Sequence, residues 1–402
     1  MNHDARLERF VLPVIFGLIM PVAVAANKAM VLLLALAAIC VIPTAVRSGR
    51  HQILRSRPST ISVLYALFLG WGLLSALWSI DPHTTFTRFG RLAGISILGA
   101  IVLYEITRTG AATKRRILEG CAIGLVGALA LIVAKYVWIR EIGDTTIYPE
   151  GFDPLSVFNP ALTVLAILIW PIAVRLAGRS SWLVAMAVLA IYALFLAFST
   201  SQASVLALII GAVGFGAAVA WPRATPRIAA ALLCVTILSA PFVTLRITGD
   251  PAMMEMLQPL PGSARHRAYI WEFAANHILQ RPILGWGLDA SRSIPGGKER
   301  PPVGYEYMPL HPHNAALQVW LELGAVGALL AGLMTAFVTV KVGRAMPDRL
   351  CAGAATASIL SFAVIAFTAY GVFQSWWFAF AWLMAAVLAA LRTSGAAPRT
   401  SP

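Results

Sequence analysis

The chain has 402 residues, of which 59% are hydrophobic and only 12% are charged. Soluble globular proteins carry roughly 25% charged residues, so this composition excludes a water-soluble enzyme. The formal net charge of +14 would indicate nucleic acid in a soluble protein, but here Lys and Arg lie in short segments between apolar stretches. The four cysteines have no CxxC spacing, which disfavours a metal or redox site. We expect no nucleic-acid partner, no metal and no cofactor.

Apolar stretches recur along almost the whole chain, and each is long enough to cross a hydrocarbon core of about 30 Å as a helix. Lipid offers no hydrogen bonds to the backbone, so these stretches are expected to be helices. We therefore predict an all-α polytopic membrane protein, in which residues 1–402 form a single integral membrane domain of about twelve transmembrane helices. The predicted spans are Phe10–Ala26, Ala29–Val46, Ile61–Trp78, Leu92–Thr107, Ile117–Trp138, Pro160–Val174, Trp182–Phe198, Ala203–Trp221, Ile228–Leu245, Ala315–Val340, Cys351–Phe373 and Ser375–Leu391.

The distribution of basic residues predicts the orientation of these spans. With the N-terminus in the cytoplasm, 19 basic residues fall inside and 5 fall on the outer side apart from those of the long outer segment. Short loops rich in Lys and Arg stay in the cytoplasm, so both termini are expected there. The outer connections include Ser79–Arg91, Ile139–Asn159 and the long segment Arg246–Asn314. We expect a multi-pass protein surrounded by lipids in a bacterial inner membrane, with these segments in the periplasm.

We expect the active site in the 69-residue segment Arg246–Asn314. Loops of this length in compact domains are usually functional or disordered, and the aromatic residues of this one disfavour disorder. It carries four of the seven histidines. Short helices are expected within it, the first over Ser263–Gln280. Arg265 falls in the first turn of that helix, where backbone N–H groups also favour an anion, and lies away from its apolar stripe. The stripe comprises Ile270, Phe273, Ala274 and Ile278.

The long segment closes with His311-Pro312-His313-Asn314, directly before an apolar span. Asn314 is a predicted helix N-cap, which would place His313 beside the positive end of a helix dipole. The dipole disfavours imidazolium, so a neutral His313 could act as a general base. Two alternatives stay open: a capping or packing role for His313, and a zinc pair with His311. The intervening Pro312 and the lack of an evident third ligand disfavour zinc.

A set of short motifs in the second half of the chain resembles the signature of the O-antigen ligase/polymerase superfamily, and the twelve predicted spans with one large loop between the ninth and tenth resemble the O-antigen ligases. The motifs are Ser263-Ala264-Arg265, Trp271, Arg281-Pro282-Ile283-Leu284-Gly285-Trp286-Gly287, His313-Asn314, Glu322-Leu323-Gly324 and Gly327. The resemblance implies a metal-independent, GT-C-like glycosyltransferase. Its implied partners are an undecaprenyl-pyrophosphate-linked glycan donor and a lipid A–core acceptor.

The resemblance also implies site residues, namely His313 and Arg265 as catalytic and Arg265 as a pyrophosphate ligand. Asn314 and His311 are the expected supporting residues. Many members have Ser-Arg near the outer end of the seventh or eighth span, where this chain has Ser199-Thr200-Ser201-Gln202. Arg88 and Arg91, one helical turn apart, are the predicted substitutes. Arg265 as a headgroup anchor and Arg88 and Arg91 as solvated side chains are alternatives.

Four functions remain open from the sequence. An O-antigen ligase leads, ahead of an O-antigen polymerase, which tends to have a second sizeable periplasmic loop. A protein O-oligosaccharyltransferase usually carries additional soluble C-terminal sequence. A lipid-glycan transporter is the non-enzymatic alternative, disfavoured because few ionisable residues lie near the middle of any span and no ATP-binding motif is present. Glu322, just inside the tenth span, is expected to hydrogen-bond within the bundle.

The topology is testable with fused reporters. An enzyme that is active only in the periplasm should be silent when fused after Pro402, because the charge bias places this end in the cytoplasm. The same enzyme fused at Pro301, inside the long segment, should be active and serves as the control. Activity after Pro402 would contradict the predicted orientation.

Overall fold

The computed structural model describes residues 10–47, 58–141, 154–256, 262–300 and 305–392. Within these ranges all regular secondary structure is helical. The predicted N-terminal cytoplasmic segment, residues 48–57 and the tail Thr393–Pro402 lie outside them. The α-helices are α1 Leu12–Gly17, α2 Ile19–Ala26, α3 Met30–Arg47, α4 Thr60–Leu74, α5 Pro82–Arg108, α6 Ala111–Glu141, α7 Asn159–Arg179, α8 Trp182–Ala197, α9 Gln202–Ala220, α10 Thr225–Thr248, α11 Pro251–Met256, α12 Gly262–Gln280, α13 Ala315–Arg344, α14 Arg349–Thr368 and α15 Ser375–Leu391.

Nine helical stretches of the described residues are long and apolar enough to cross a membrane, and α8 and α15 are shorter apolar helices. One of the nine, Ile19–Pro43, includes the reversal predicted between the first two spans. Helix α1 contacts α3 across this reversal, which one continuous helix would not allow. Each predicted span therefore overlaps a described helix or, at Phe10–Ala26, two. The end predicted for the eleventh span at Phe373 is wrong, because α14 ends at Thr368 and Ala369–Phe373 belong to the connection before α15. The predicted all-α polytopic membrane protein is confirmed.

Helix α5 begins earlier than the sequence predicted. The Asp81 side chain accepts a hydrogen bond from the Thr84 N–H (3.1 Å), and Pro82 occupies the first helical turn. Both features are favourable at a helix start. Residues 82–91, predicted as part of a loop, are therefore helical, and Arg88 and Arg91 stand on a rigid element.

Helices α7 and α14 are largely buried within the bundle. Every residue of α7 from Ala161 to Ala173 is buried. Helix α14 packs against both α7 and α9, and an added Cβ at Gly211 of α9 would lie 2.5 Å from Ser361 Oγ of α14. Small residues let helices approach closely in a membrane. This packing gives firm support to the short connection that follows α14.

Helix α13 is broken at Gly324, where φ is 66° and ψ is −165°. The loop after α12 passes through the break. A Cβ at Gly324 would lie 2.1 Å from the carbonyl oxygen of Ile283, and a Cβ at Gly285, where φ is 72°, would lie 2.5 Å from the carbonyl of Glu322. Glycine is the residue that tolerates both the positive φ and the contact distance.

Backbone hydrogen bonds join the loop to the broken helix. Without them, the break would leave peptide groups unsatisfied within a membrane protein, at a cost of several kcal/mol for each group. The Arg281–Gly287 motif thus serves as a backbone plug for the break. The bonds are Trp286 N–H to Leu321 O (2.9 Å), Gly287 N–H to Glu322 O (2.8 Å) and Ala325 N–H to Pro282 O (2.8 Å).

Substitution Gly324→Ala should test this interlock. The positive φ and the clash with backbone are each expected to cost about 1–3 kcal/mol, so the thermal stability of the detergent-solubilised protein should fall clearly. Gly216→Ala on α9 is the matched control, because an added Cβ there has nothing within 4 Å. Equal melting temperatures for Gly324→Ala and Gly216→Ala would contradict the interlock.

Candidate active site

Three connections meet on one face of the helix bundle: the one between α4 and α5, the loop between α12 and α13, and the one between α14 and α15. The Leu288 N–H donates to Ser75 Oγ (3.0 Å), and Thr85 Oγ1 donates to the Leu288 carbonyl (2.8 Å). Arg88 Nη1 donates to the carbonyl of Phe373 (3.1 Å). Helix α12 packs on α10 and α13 beside them. The predicted site residues lie around this junction.

The His311–Asn314 turn is held at both ends. Asn314 Oδ1 accepts hydrogen bonds from two N–H groups in the first turn of α13 (3.0 and 3.1 Å), which confirms the predicted N-cap. Trp271 Nε1 of α12 donates to the Pro312 carbonyl (2.8 Å). His313 has a φ of 54°, an uncommon conformation for a residue other than glycine, and its N–H donates to His311 Nδ1 (3.1 Å). The turn therefore fixes the backbone of His313.

The ring of His313 has a defined tautomer. Its Nδ1 lies 2.7 Å from the carbonyl oxygen of Ala369. A carbonyl can only accept, so Nδ1 carries the proton and Nε2 of the neutral ring keeps its lone pair. Burial, and to a smaller extent the charges of Arg267 and His266, lowers the pKa of His313 below its ordinary value, against the opposing effect of the Ala369 bond. The ring is therefore neutral near pH 7, with burial as the largest of these causes.

His311 lies beneath His313 and is almost fully buried, with a ring centroid 4.3 Å from that of His313. Its Nε2 is 2.9 Å from the side-chain amide of Gln374, and an added Cβ at Gly371 would lie 2.8 Å from its ring. Burial, followed by the charges of His313, Arg292 and Arg267, lowers the pKa of His311 to about 3. His311 is thus a neutral packing partner of the connection between α14 and α15.

Arg267 is the arginine of α12 whose charge lowers the pKa of both His311 and His313. Its charge also acts on Tyr370, whose pKa burial raises to about 12. The sequence reasoning passed over Arg267, although a signal was present. Arg267 lies three residues before Ile270 on the predicted apolar stripe, which is the face of α12 that packs on the bundle.

Arg265, the arginine predicted from the resemblance, lies two residues away and roughly 200° around the same helix. Its charge is not among those that shift the pKa of His311 or His313. Its Nε is buried and has no hydrogen-bond partner among the described residues. Its catalytic role remains a prediction.

Arg88 is engaged by protein groups. Its Nε and Nη2 each lie 2.7 Å from Asp289 Oδ2, and its Nη1 donates to the Phe373 carbonyl. Arg88 thus ties the loop after α12 to the connection between α14 and α15. Arg91, one turn further along α5, is exposed. That either residue binds pyrophosphate remains a prediction.

Glu322 is fully buried in α13, two residues before the break. Its carboxylate accepts hydrogen bonds from Ser291 Oγ (2.5 Å), the Asp289 N–H (2.5 Å) and Gln318 Nε2 (2.9 Å). The expected hydrogen bonding within the bundle is confirmed, and it extends to the loop that plugs the break. No cation pairs with Glu322 in the part of the chain that the structure describes.

The fold is that of a polytopic helical membrane protein, and a polar junction lies at the ends of its helices. The junction combines two neutral histidines with arginines, a set suited to an anionic ligand beside a proton acceptor. The described residues contain no group of three or more His, Cys, Asp or Glu placed to hold a metal ion. In a comparison with known proteins, the O-antigen ligase family model matches residues 165–332, from α7 to α13. Over this region the chain is similar to the O-antigen ligases.

Several relatives that match over about three quarters of this chain carry the provisional name of polysaccharide ligase. One from Rickettsia conorii is 27% identical over 323 residues, which covers 77% of this chain and 75% of the relative. One from Rickettsia bellii is 26% identical over 324 residues, covering 78% and 76% respectively. One from Rickettsia typhi is 25% identical over 328 residues, covering 77% and 76%. The matches confirm the resemblance drawn from the motifs.

Proposed function

We propose that the chain is an O-antigen ligase. It transfers O-antigen polysaccharide from undecaprenyl pyrophosphate to the outer-core sugar of lipid A–core, at the periplasmic face of a bacterial inner membrane. One observation carries the chemical part of the proposal. His313 is neutral, its Nδ1–H is held by Ala369, and its Nε2 has no hydrogen-bond partner among the described residues. This is the arrangement of a general base whose proton acceptor is free for substrate.

In the proposed reaction, the acceptor sugar hydroxyl attacks the anomeric carbon of the donor glycan. His313 Nε2 takes the hydroxyl proton as the new carbon–oxygen bond forms. The bond between the anomeric carbon and the pyrophosphate oxygen breaks, and the electron pair leaves with undecaprenyl pyrophosphate. The bond from Nδ1–H to the Ala369 carbonyl supports the imidazolium that forms, as the orienting acceptor of a catalytic histidine does.

The leaving pyrophosphate gains negative charge, and arginines supply the proposed stabilisation. Arg267 is near enough to His313 for its charge to act on the ring, and the Arg292 charge acts on His311. Arg265, with a buried Nε that makes no bond to the described residues, is the proposed bidentate ligand of phosphate. The planar guanidinium fork suits phosphate oxygens better than an ammonium group does.

The periplasmic location rests on the distribution of charge. The three connections of the site share one face of the bundle, and the same face is the outer one in the predicted topology. On the opposite side, helix ends carry basic residues such as Arg108, Arg175, Arg179, Lys341 and Arg344. A lipid-linked donor on the periplasmic face needs no nucleotide site.

His313→Gln tests the proposal directly, because glutamine keeps hydrogen-bonding capacity but cannot take the proton. General-base catalysis is worth about 10²–10⁴-fold, and in-vitro ligation should fall by that factor while donor binding changes little. In a strain that lacks the chain, His313→Gln should fail to restore any O-antigen-bearing bands of the lipopolysaccharide ladder. A single repeat on the core in the strain lacking the chain would instead identify a polymerase, and normal ligation by folded His313→Gln would end the general-base assignment.

The pH profile separates the two arginines of α12. The ligation rate should fall as pH drops through the pKa of His313, which lies below its ordinary value. Arg267→Gln removes a positive charge that lowers this pKa, so the acidic limb should move to higher pH. Arg265→Gln, two residues away, should lower the rate at every pH but leave the position of the acidic limb unchanged, because its charge does not act on His313. A limb that stays in place in Arg267→Gln would remove Arg267 from the site.

Substitutions that keep the charge test the phosphate contact of Arg265. Arg265→Ala should cripple transfer, and Arg265→Lys should recover little of it, because a bidentate contact needs the planar fork. The measurement is the dissociation constant for the lipid-linked donor together with the ligation rate. Full activity in Arg265→Lys would show that Arg265 acts only as a point charge or as an anchor at the headgroups.

A further inference from the structure

Buried hydrogen bonds connect the broken helix α13 to the residues after α14. Glu322 accepts from the Asp289 N–H (2.5 Å) and from Gln318 Nε2 (2.9 Å), and Gln318 Oε1 accepts from the Val372 N–H (2.9 Å). Both Glu322 and Gln318 are buried. The chain of bonds therefore runs from the loop that plugs the break, through α13, to the backbone between α14 and α15.

The side-chain amide of Gln318 has one permitted orientation. A backbone N–H can only donate, so the amide oxygen must face Val372, and the amide nitrogen therefore faces Glu322. The backbone at Gly371 is also in close contact, since an added Cβ there would lie 3.1 Å from Gln318 Oε1. Gln318 thus sets the position of this backbone rather than merely filling space beside it.

A second set of contacts ends at Phe373, the residue after Val372. Arg88 is paired with the Asp289 carboxylate and donates to the Phe373 carbonyl (3.1 Å). Val372 and Phe373 are therefore held by two separate routes, both of which start at Asp289. The same segment begins with Ala369, whose carbonyl oxygen holds the Nδ1–H of His313 (2.7 Å).

We infer that Gln318, oriented by Glu322, is a positioning residue for His313: it fixes the segment that presents the Ala369 carbonyl, and so fixes the direction of Nε2. The inference rests on the proposed function, in which Nε2 removes the proton from the acceptor. Gln318 does not touch the reacting atoms. Its contribution acts through His313, and a variant of Gln318 should therefore affect the chemical step and spare donor binding.

The test uses purified full-length protein and a lipid-linked glycan donor. Gln318→Met keeps the length of the side chain and removes both hydrogen bonds of the side-chain amide. Because a displacement of about 1 Å costs about 10²-fold, ligation at saturating donor should fall by roughly that factor, with an unchanged KM for the donor. The matched control is Thr339→Val, a buried residue of the same helix whose hydroxyl donates to the Thr335 carbonyl of that helix. Its kcat and KM should match those of the parent chain.

A double-mutant cycle separates positioning from general damage to the structure. In the His313→Gln background, Gln318→Met should cause little further loss, because the residue through which it acts is already gone. Two losses that multiply fully, or a raised donor KM with normal kcat, would overturn the inference. If Gln318→Met does not fold, Gln318→Asn replaces it, since its amide is one methylene too short to span from Glu322 to Val372. Full kcat in that folded variant would also overturn the inference.

The outcome is separable from that of the proposed function. Normal ligation by folded His313→Gln would remove the general base and with it the basis for any positioning role. Loss of ligation in His313→Gln with full activity in Gln318→Met would leave the proposed function standing and refute the role of Gln318 alone.

Discussion

The structure depends on one constraint, the need to satisfy the backbone where α13 breaks at Gly324. A free N–H or carbonyl at that depth would cost several kcal/mol, so the break exists only because the Arg281–Gly287 motif fills it with three backbone bonds. In return, a segment of the long loop is anchored to a membrane helix. The next residues, Leu288 and Asp289, are thereby brought to Ser75, Thr85 and Arg88. The site is thus built on fixed helix ends, although most of its residues come from loops.

The buried carboxylate of Glu322 follows from the same break. Burial disfavours the charged form of a carboxyl group, and a buried carboxyl group is tolerated where hydrogen-bond partners surround it. Glu322 has three donors, from Ser291, Asp289 and Gln318. Ser291 and Asp289 belong to the loop that fills the break. Gln318 also accepts a hydrogen bond from the Val372 N–H, and so links Glu322 to the segment after α14. A carboxylate has several acceptor positions on one small group, which suits it to join three segments of chain at one point.

The sequence predicted the helices and the capping role of Asn314, because these follow from hydropathy and from local residue preferences. It did not predict that Arg88 pairs with Asp289 or that Ala369 holds His313, since both contacts join residues far apart in the chain. The choice between Arg265 and Arg267 was open to local reasoning. The motif supplied Arg265, whereas helical periodicity places Arg267 on the packed face of α12. A sequence motif identifies the arginine and its position in the chain, but the face of the helix on which it lies has to be worked out from the helical periodicity.

The surroundings of His313 balance two requirements of the proposed reaction. Positive charge at Arg267 favours the pyrophosphate leaving group, but the same charge lowers the pKa of His313 and so weakens it as a base. The Ala369 carbonyl acts in the opposite direction, because it stabilises the protonated ring through Nδ1–H. A general base works best when its pKa lies near the working pH. An arginine that serves the leaving group therefore requires a fixed acceptor behind the histidine. In this chain that acceptor is the backbone carbonyl of Ala369. Its position depends on the hydrogen bonds at Val372 and Phe373, which hold the same segment in place.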